Sequence, residues 1–249
     1  MRKTQFSKPH GTIVLAMSAD GKISDVGRSP ARFGSAADKA HLEKQIAMAD
    51  GVLFGAGTLR AYGTTMPIAN PKLLQQRESD GKPPQPVQIL VSRSANIDSS
   101  LRFFQQPVPR WLLTTAAGAK HYHSDRYRPD VTNSTGSEFE KIIIAKMGNQ
   151  GIDWVEAFRQ LAQLELKRLA ILGGGELVAS LLAADVIDEL CLTVCPLILG
   201  GAAAPTPVEG AGLLSAQHLQ LLSVDTREQE VFLHYSIVRR SGNTLNSLS

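Results

Sequence analysis

Short runs in which nearly every residue is apolar recur along this chain, at 11–17 (GTIVLAM), 51–55 (GVLFG), 87–91, 111–113, 141–145, 168–172 and 189–199. A strand with one wet face alternates apolar and polar residues. Unbroken apolar runs of this length belong to strands covered on both faces. More polar stretches separate them. Ser35 opens one as a helix N-cap, with Asp38 three residues on in a near capping-box arrangement. Asp153-Trp-Val-Glu156 opens another, running to about 166, and a third helix is expected over 176–184. Strands alternating with helices predict an α/β fold: a mostly parallel central sheet with helices on both faces. Segments 219–224 and 231–239 predict a C-terminal antiparallel hairpin. One domain is expected over 1–240, with a polar tail over 241–249. The Pro- and Gln-rich stretch 64–86 is expected to be a surface excursion.

Composition narrows the function. The 249 residues carry 26 Lys plus Arg against 23 Asp plus Glu, a net charge of +3. That excess is too small to point to nucleic acid, though it favours an anionic small molecule. Two cysteines, Cys191 and Cys195, form no disulfide framework in a chain this long and suggest a reducing compartment. Residues 1–9 lack an apolar signal core, and the apolar stretch 190–199 is too short to span a bilayer. A cytoplasmic protein with no membrane partner is expected. His121 and His123, two apart, share no helix face and have no companions at metal spacing, so no metal is expected.

The strongest local motif is the strand 169–172 running into Gly173-Gly174-Gly175, followed by Glu176-Leu177 at a helix start. Missing side chains let backbone N–H groups approach a phosphate, and the helix N-terminus adds partial positive charge. A tight turn without ligand is the plainer reading, and three glycines before a helix favour phosphate over it. Gly55-Ala-Gly57-Thr58 repeats the theme after the strand 51–55, with Arg60 to add charge. It lacks the third glycine of the dinucleotide fingerprint and is weak alone. Two such turns fit a pyrophosphate held between two helix ends. Asp20-Gly21 leaves the first strand; Asp20 is a proton donor, a holder of a substrate amine, or, as the residues alone favour, only a turn residue. Ser92-Arg93 follows the strand 87–91, where an Arg either binds a 2′-phosphate or is solvated.

These segments, in this order, resemble the reductase domain of the bifunctional riboflavin-biosynthesis deaminase–reductase family. The matching stretches are AMSADGKI (16–23), ADGVLFGAGT (49–58), QILVS (88–92), ILGGGEL (171–177), and DEL (188–190) through PLILGG (196–201). They span nearly the whole chain, and no zinc-deaminase motif accompanies them. The resemblance implies a dihydrofolate-reductase-like fold, NADPH, and hydride transfer to the ribosyl C1 of a 5-amino-6-(phosphoribosylamino)uracil. It implies that Gly55, Gly57 and Thr58 form the cofactor turn and that Gly173, Gly174, Gly175, Glu176 and Leu177 form the pyrophosphate loop. Asp20 and Gly21 would then lie beside the nicotinamide, and the protein would pair as a homodimer, with the strand 189–199 at the interface. The chain departs from the family where substrate is held. Tyr62 stands where the family has Asp, no Leu-Thr-x-Arg follows it, Ile46 stands near a family Arg, and Leu172 replaces a Glu. Lys44, Arg60 or Lys72 would have to compensate. Two other readings stay open: a reductase of another heterocycle or carbonyl compound, and a non-catalytic nucleotide-binding protein. NADPH binding with and without pyrimidine turnover separates the three.

Overall fold

A computed structural model describes residues 8–31, 33–126, 138–148 and 151–239. In chain order the elements are β1 (His10–Ser18), α1 (Ala36–Met48), β2 (Gly51–Gly55), α2 (Ala56–Tyr62), α3 (Pro71–Ser79), β3 (Val87–Val91), β4 (Arg110–Thr114), α4 (Ala116–Arg126), β5 (Lys141–Ile144), β6 (Met147–Gly148), β7 (Gly151–Ile152), α5 (Trp154–Gln163), β8 (Arg168–Ile171), α6 (Gly175–Ala183), β9 (Glu189–Cys195), β10 (His218–Arg227) and β11 (Glu230–Val238). Nine strands form one sheet in the order β10-β11-β9-β1-β8-β2-β3-β4-β5. From β9 to β5 all pairs are parallel, while β11 runs antiparallel to both β9 and β10.

Both faces of the parallel part are covered, which explains the unbroken apolar runs. Leu53 of β2 packs with Phe158 and Leu161 of α5 and Leu181 of α6. Its neighbours Val52 and Phe54 point to the other face, against Ile46 of α1 and Leu59 of α2. Phe158 and Leu161 are fully buried, and each such side chain contributes roughly 1.5–3 kcal/mol of apolar burial.

The structure corrects the sequence reading in three places. The stretch 64–86 is not all surface excursion, because Pro71–Ser79 is a helix with Pro at its start and an Asn70 side chain accepting from the Lys72 N–H at 3.0 Å. The strand expected over 189–199 stops at Cys195, since Pro196 has no N–H for the ladder. It also lies between β1 and β11 rather than at an edge; the edge on that side of the sheet is β10. The tail expected over 241–249 lies outside the described residues.

Candidate functional site

Parallel strands deliver their C-terminal ends to one rim of the sheet, where ligands of open α/β sheets bind. β8 ends at Ile171, paired with Ile13 of β1 and Leu53 of β2. β1 continues to Ser18 with only β9 beside it. Leu15, Ala16 and Met17 are half-exposed as a result. The chain after β8 leans toward β2: Leu172 N–H donates to Leu53 O at 2.9 Å, and Gly55 N–H donates to Gly173 O at 2.9 Å. That second bond seats the two glycine turns side by side. A Cβ on Gly174 would lie 3.6 Å from Thr58 Oγ1, and one on Gly173, whose φ is +91°, would lie 3.2 Å from Leu15. α2 and α6 both begin without a side-chain cap, so their first N–H groups are free for an anion. Glu176 is exposed on the first turn of α6, and Leu177 is buried in the core.

The loop after β1 is tied to the loop after β9. Ala19 N–H donates to Leu197 O at 2.8 Å and Ile23 N–H to Pro205 O at 2.9 Å. Asp20 accepts from Ser18 Oγ at 2.6 Å, Gly200 N–H at 2.7 Å and Leu199 N–H at 3.1 Å. The Ser18 hydroxyl and these backbone donors hold its carboxyl down at about 2. A carboxylate so ionised is a poor proton donor near neutrality, so the geometry gives Asp20 the job of joining two loops. Gly21, at φ +80°, makes the turn inside the first of these loops, its N–H donating to Ser18 O at 2.9 Å. Farther along, Arg28 pairs with Glu209 at 2.7 Å.

Ser92 is buried, and its hydroxyl accepts from the Ala95 N–H at 3.1 Å. The Arg93 side chain is exposed, and its carbonyl accepts from Thr115 Oγ1 at 2.9 Å. A cleft of about 200 Å³ lies nearby, lined by Ala56, Arg60, Asn96 and Asp98 among others. Of the positions where substrate cations would be needed, Ile46 is fully buried in the core. Tyr62 donates its hydroxyl to Ala31 O at 3.0 Å. Lys44 and Lys72 are exposed on α1 and α3. Among the described residues no three His, Cys, Asp or Glu side chains converge to hold a metal. No helix among them is long and apolar enough to cross a membrane.

One group was invisible to the sequence reading. The capping box at the start of α1 is only half local. Ser35 Oγ accepts from the N–H groups of Ala37 at 3.0 Å and Asp38 at 3.2 Å. The return bond to the Ser35 N–H comes from Glu230 at 2.8 Å, not from Asp38. Burial raises the Asp38 carboxyl above its ordinary range, and the nearby Glu230 carboxylate adds to the rise.

A family model described as the RibD C-terminal domain matches residues 9–233. The chain belongs to this family. Among relatives in the RibD C-terminal domain family, the 2,5-diamino-6-ribosylamino-4(3H)-pyrimidinone 5′-phosphate reductase of Archaeoglobus fulgidus is 25% identical over 83% of this chain and 89% of its own length. The reductase of the same name from Aquifex aeolicus is 26% identical over 94% of this chain and 99% of its own. RibD of Actinobacillus pleuropneumoniae is 25% identical, and the match covers 58% of that longer protein. A pyrimidine reductase-like protein of Corynebacterium diphtheriae superposes with a TM-score of 0.72 at 21% identity, covering 96% of both chains. The mostly parallel sheet with its antiparallel C-terminal pair is the fold of that solved structure, and the chain is an oxidoreductase of the riboflavin-biosynthesis reductase type.

Proposed function

We propose that this chain binds NADPH across its two glycine turns and reduces the ribosyl carbon of a phosphoribosylamino-pyrimidine. The observation that carries the reading is the Gly55–Gly173 backbone bond, which seats two uncapped helix starts side by side at the rim where β1 outruns β8. A pyrophosphate there would accept from the N–H groups of Gly57, Thr58, Gly174 and Gly175, with the Thr58 hydroxyl between the turns. Bound NADPH supplies the hydride; the protein supplies position and charge. Arg60, in the cleft beside the first turn, is the cation offered to a 2′-phosphate, with the exposed Arg93 as second candidate.

The test is NADPH oxidation with the diaminopyrimidinone and uracil forms of the substrate, each with and without its phosphate. Turnover of a phosphorylated form supports the reading. Arg60→Ala is expected to weaken NADPH by about 10- to 150-fold more than NADH, since a charge-assisted pair is worth ~1.5–3 kcal/mol. Equal losses for both cofactors, in Arg60→Ala and Arg93→Ala alike, would remove that role. A second reading, a reductase of another heterocycle or carbonyl compound, is favoured by one observation: Ile46 and Tyr62 are committed to core and loop contacts. NADPH binding without pyrimidine turnover would select it.

The same reading includes a homodimer, with its interface moved to β10. All ten residues of that edge strand are exposed, Leu219, Leu221, Leu222 and Val224 by 43–53%. A long apolar edge strand left bare is an aggregation hazard. Light scattering is expected to show a dimer, and Leu221→Lys with Val224→Lys a monomer. A wild-type monomer at all concentrations would overturn this assignment. The cysteines fit a reducing compartment such as the cytoplasm. Both are free and buried, and burial pushes each thiol up to about 12, so neither is poised to react.

A further inference from the structure

We infer that Arg28 is a phosphate-binding residue of the rim that carries the glycine turns, a role that rests on the reductase reading above. Arg28 lies in the loop after β1, and the structure fixes it there. Its turn is closed from inside. The Arg28 N–H donates to Asp25 O at 3.0 Å, the Ser29 N–H to Asp25 Oδ1 at 2.9 Å, and Ser24 Oγ to Ser29 O at 2.6 Å. Arg28 itself has φ +57°, a region costly for a residue with a Cβ. The turn is seated on the loop after β9, since a Cβ on Gly201 would lie 2.8 Å from Val26 Cγ2. From that seat the guanidinium reaches Glu209, with 2.7 Å between Nη2 and Oε1.

Glu209 is what brings Arg28 to the site. Its N–H donates to Gly175 O at 3.2 Å, and its Oε2 would lie 2.9 Å from a Cβ on Gly175. Gly175 is the first residue of α6, so the guanidinium stands one carboxylate away from the helix start that the second glycine turn leads into. The local charges give that position its meaning. Glu176 is also on the first turn of α6, and two carboxylates there repel an incoming phosphate unless a cation balances them. Arg28 supplies that cation. The Glu209 side chain is 16% exposed and the Arg28 side chain 59%, so the acid is the buried anchor and the guanidinium is the part that faces solvent. The pair uses one of the five guanidinium N–H groups. A planar fork with donors to spare is the group that phosphate recognition favours.

Two phosphates match this chemistry, the cofactor's pyrophosphate and the substrate's phosphate ester. The experiment titrates wild type, Arg28→Ala and Glu209→Gln with NADPH and with NADH, and measures KM for the phosphorylated and dephosphorylated pyrimidines. If Arg28 holds the pyrophosphate, Arg28→Ala is expected to weaken NADPH and NADH alike, by about 10- to 150-fold. If it holds the substrate, both cofactors keep their affinity and KM rises by that factor for the phosphorylated pyrimidine alone. In either case Glu209→Gln is expected to tighten the same ligand, because it removes a carboxylate from beside the phosphate and leaves the arginine. A merely structural tie between the two loops behaves differently: both variants then lose affinity equally, and that result would overturn the proposal. So would unchanged cofactor affinity with no selective rise in KM in folded Arg28→Ala, which leaves the reductase reading intact. If Arg28→Ala does not fold, Arg28→Gln is judged by the same outcomes. A wild-type protein that binds no NADPH and turns over neither pyrimidine would overturn both.

Discussion

Replacing Gly174 by valine is expected to abolish NADPH binding in a protein that still folds. Gly174 has φ −75° and ψ −174°, an extended conformation open to any residue. A Cβ there makes only ordinary contact, 3.6 Å from Thr58 Oγ1. The valine methyls would fill the groove between the two turns and hold a phosphate off the backbone N–H groups of both. Losing two charge-assisted hydrogen bonds, each worth ~1.5–3 kcal/mol, weakens binding by at least ~100-fold. Fluorescence titration with NADPH, alongside thermal melting, checks it. Full affinity in folded Gly174→Val would remove the pyrophosphate from this groove. Gly175→Ala is the contrasting change. Its Cβ would strike the Thr206 carbonyl and approach Glu209 Cγ to 2.7 Å, so it is expected to disturb the fold itself.

The second large effect concerns stability. Arg77, 2% exposed, donates to the carbonyls of Ala47 and Ala49 at 2.7 Å each and of Pro83 at 2.8 Å. Ala47 and Ala49 close α1, where helix carbonyls have no partner within the helix. Arg77→Met keeps most of the side-chain volume and strands all three acceptors. At ~1–3 kcal/mol for each buried group left unpaired the three acceptors sum to ~3–9 kcal/mol, and because Met also relieves the desolvation of the buried guanidinium the expected net loss is about 3–5 kcal/mol. For a domain this large that lowers Tm by roughly 10 °C or more. Urea unfolding should show a lower midpoint at unchanged slope; a loss under about 1 kcal/mol would mean that water reaches these carbonyls.

Arg77 also marks where the sequence stops being legible. Strands with both faces buried announce themselves as apolar runs, and β2, β3 and β8 lie where those runs lie. The glycine turns are equally readable, because close backbone approach needs a missing side chain. α3 is not, since its buried residue is an arginine and its pattern is polar. Asn70 and Pro71 mark its start, but without an apolar stripe they read as loop residues. Asp38 fails for another reason. Ser35 and Asp38 have the spacing of a local cap, and the residue that takes over half the cap lies 195 positions away. Beyond Cys195, Leu197 to Leu199 remain apolar while their backbone leaves the sheet to bond the loop after β1.

That junction of two loops has a consequence for anyone recombining this family. Residues 19–23 and 197–205 are distant in the chain yet share backbone bonds, with Asp20 as the rivet. Neither loop can be exchanged alone without orphaning donors or acceptors in the other. A chimera that imports only the first loop from a relative inherits mismatched partners, whereas one that imports both moves a matched pair. Natural insertions should obey the same rule: a change of length in one segment calls for an answering change in the other, and libraries that vary the two together sample the viable designs.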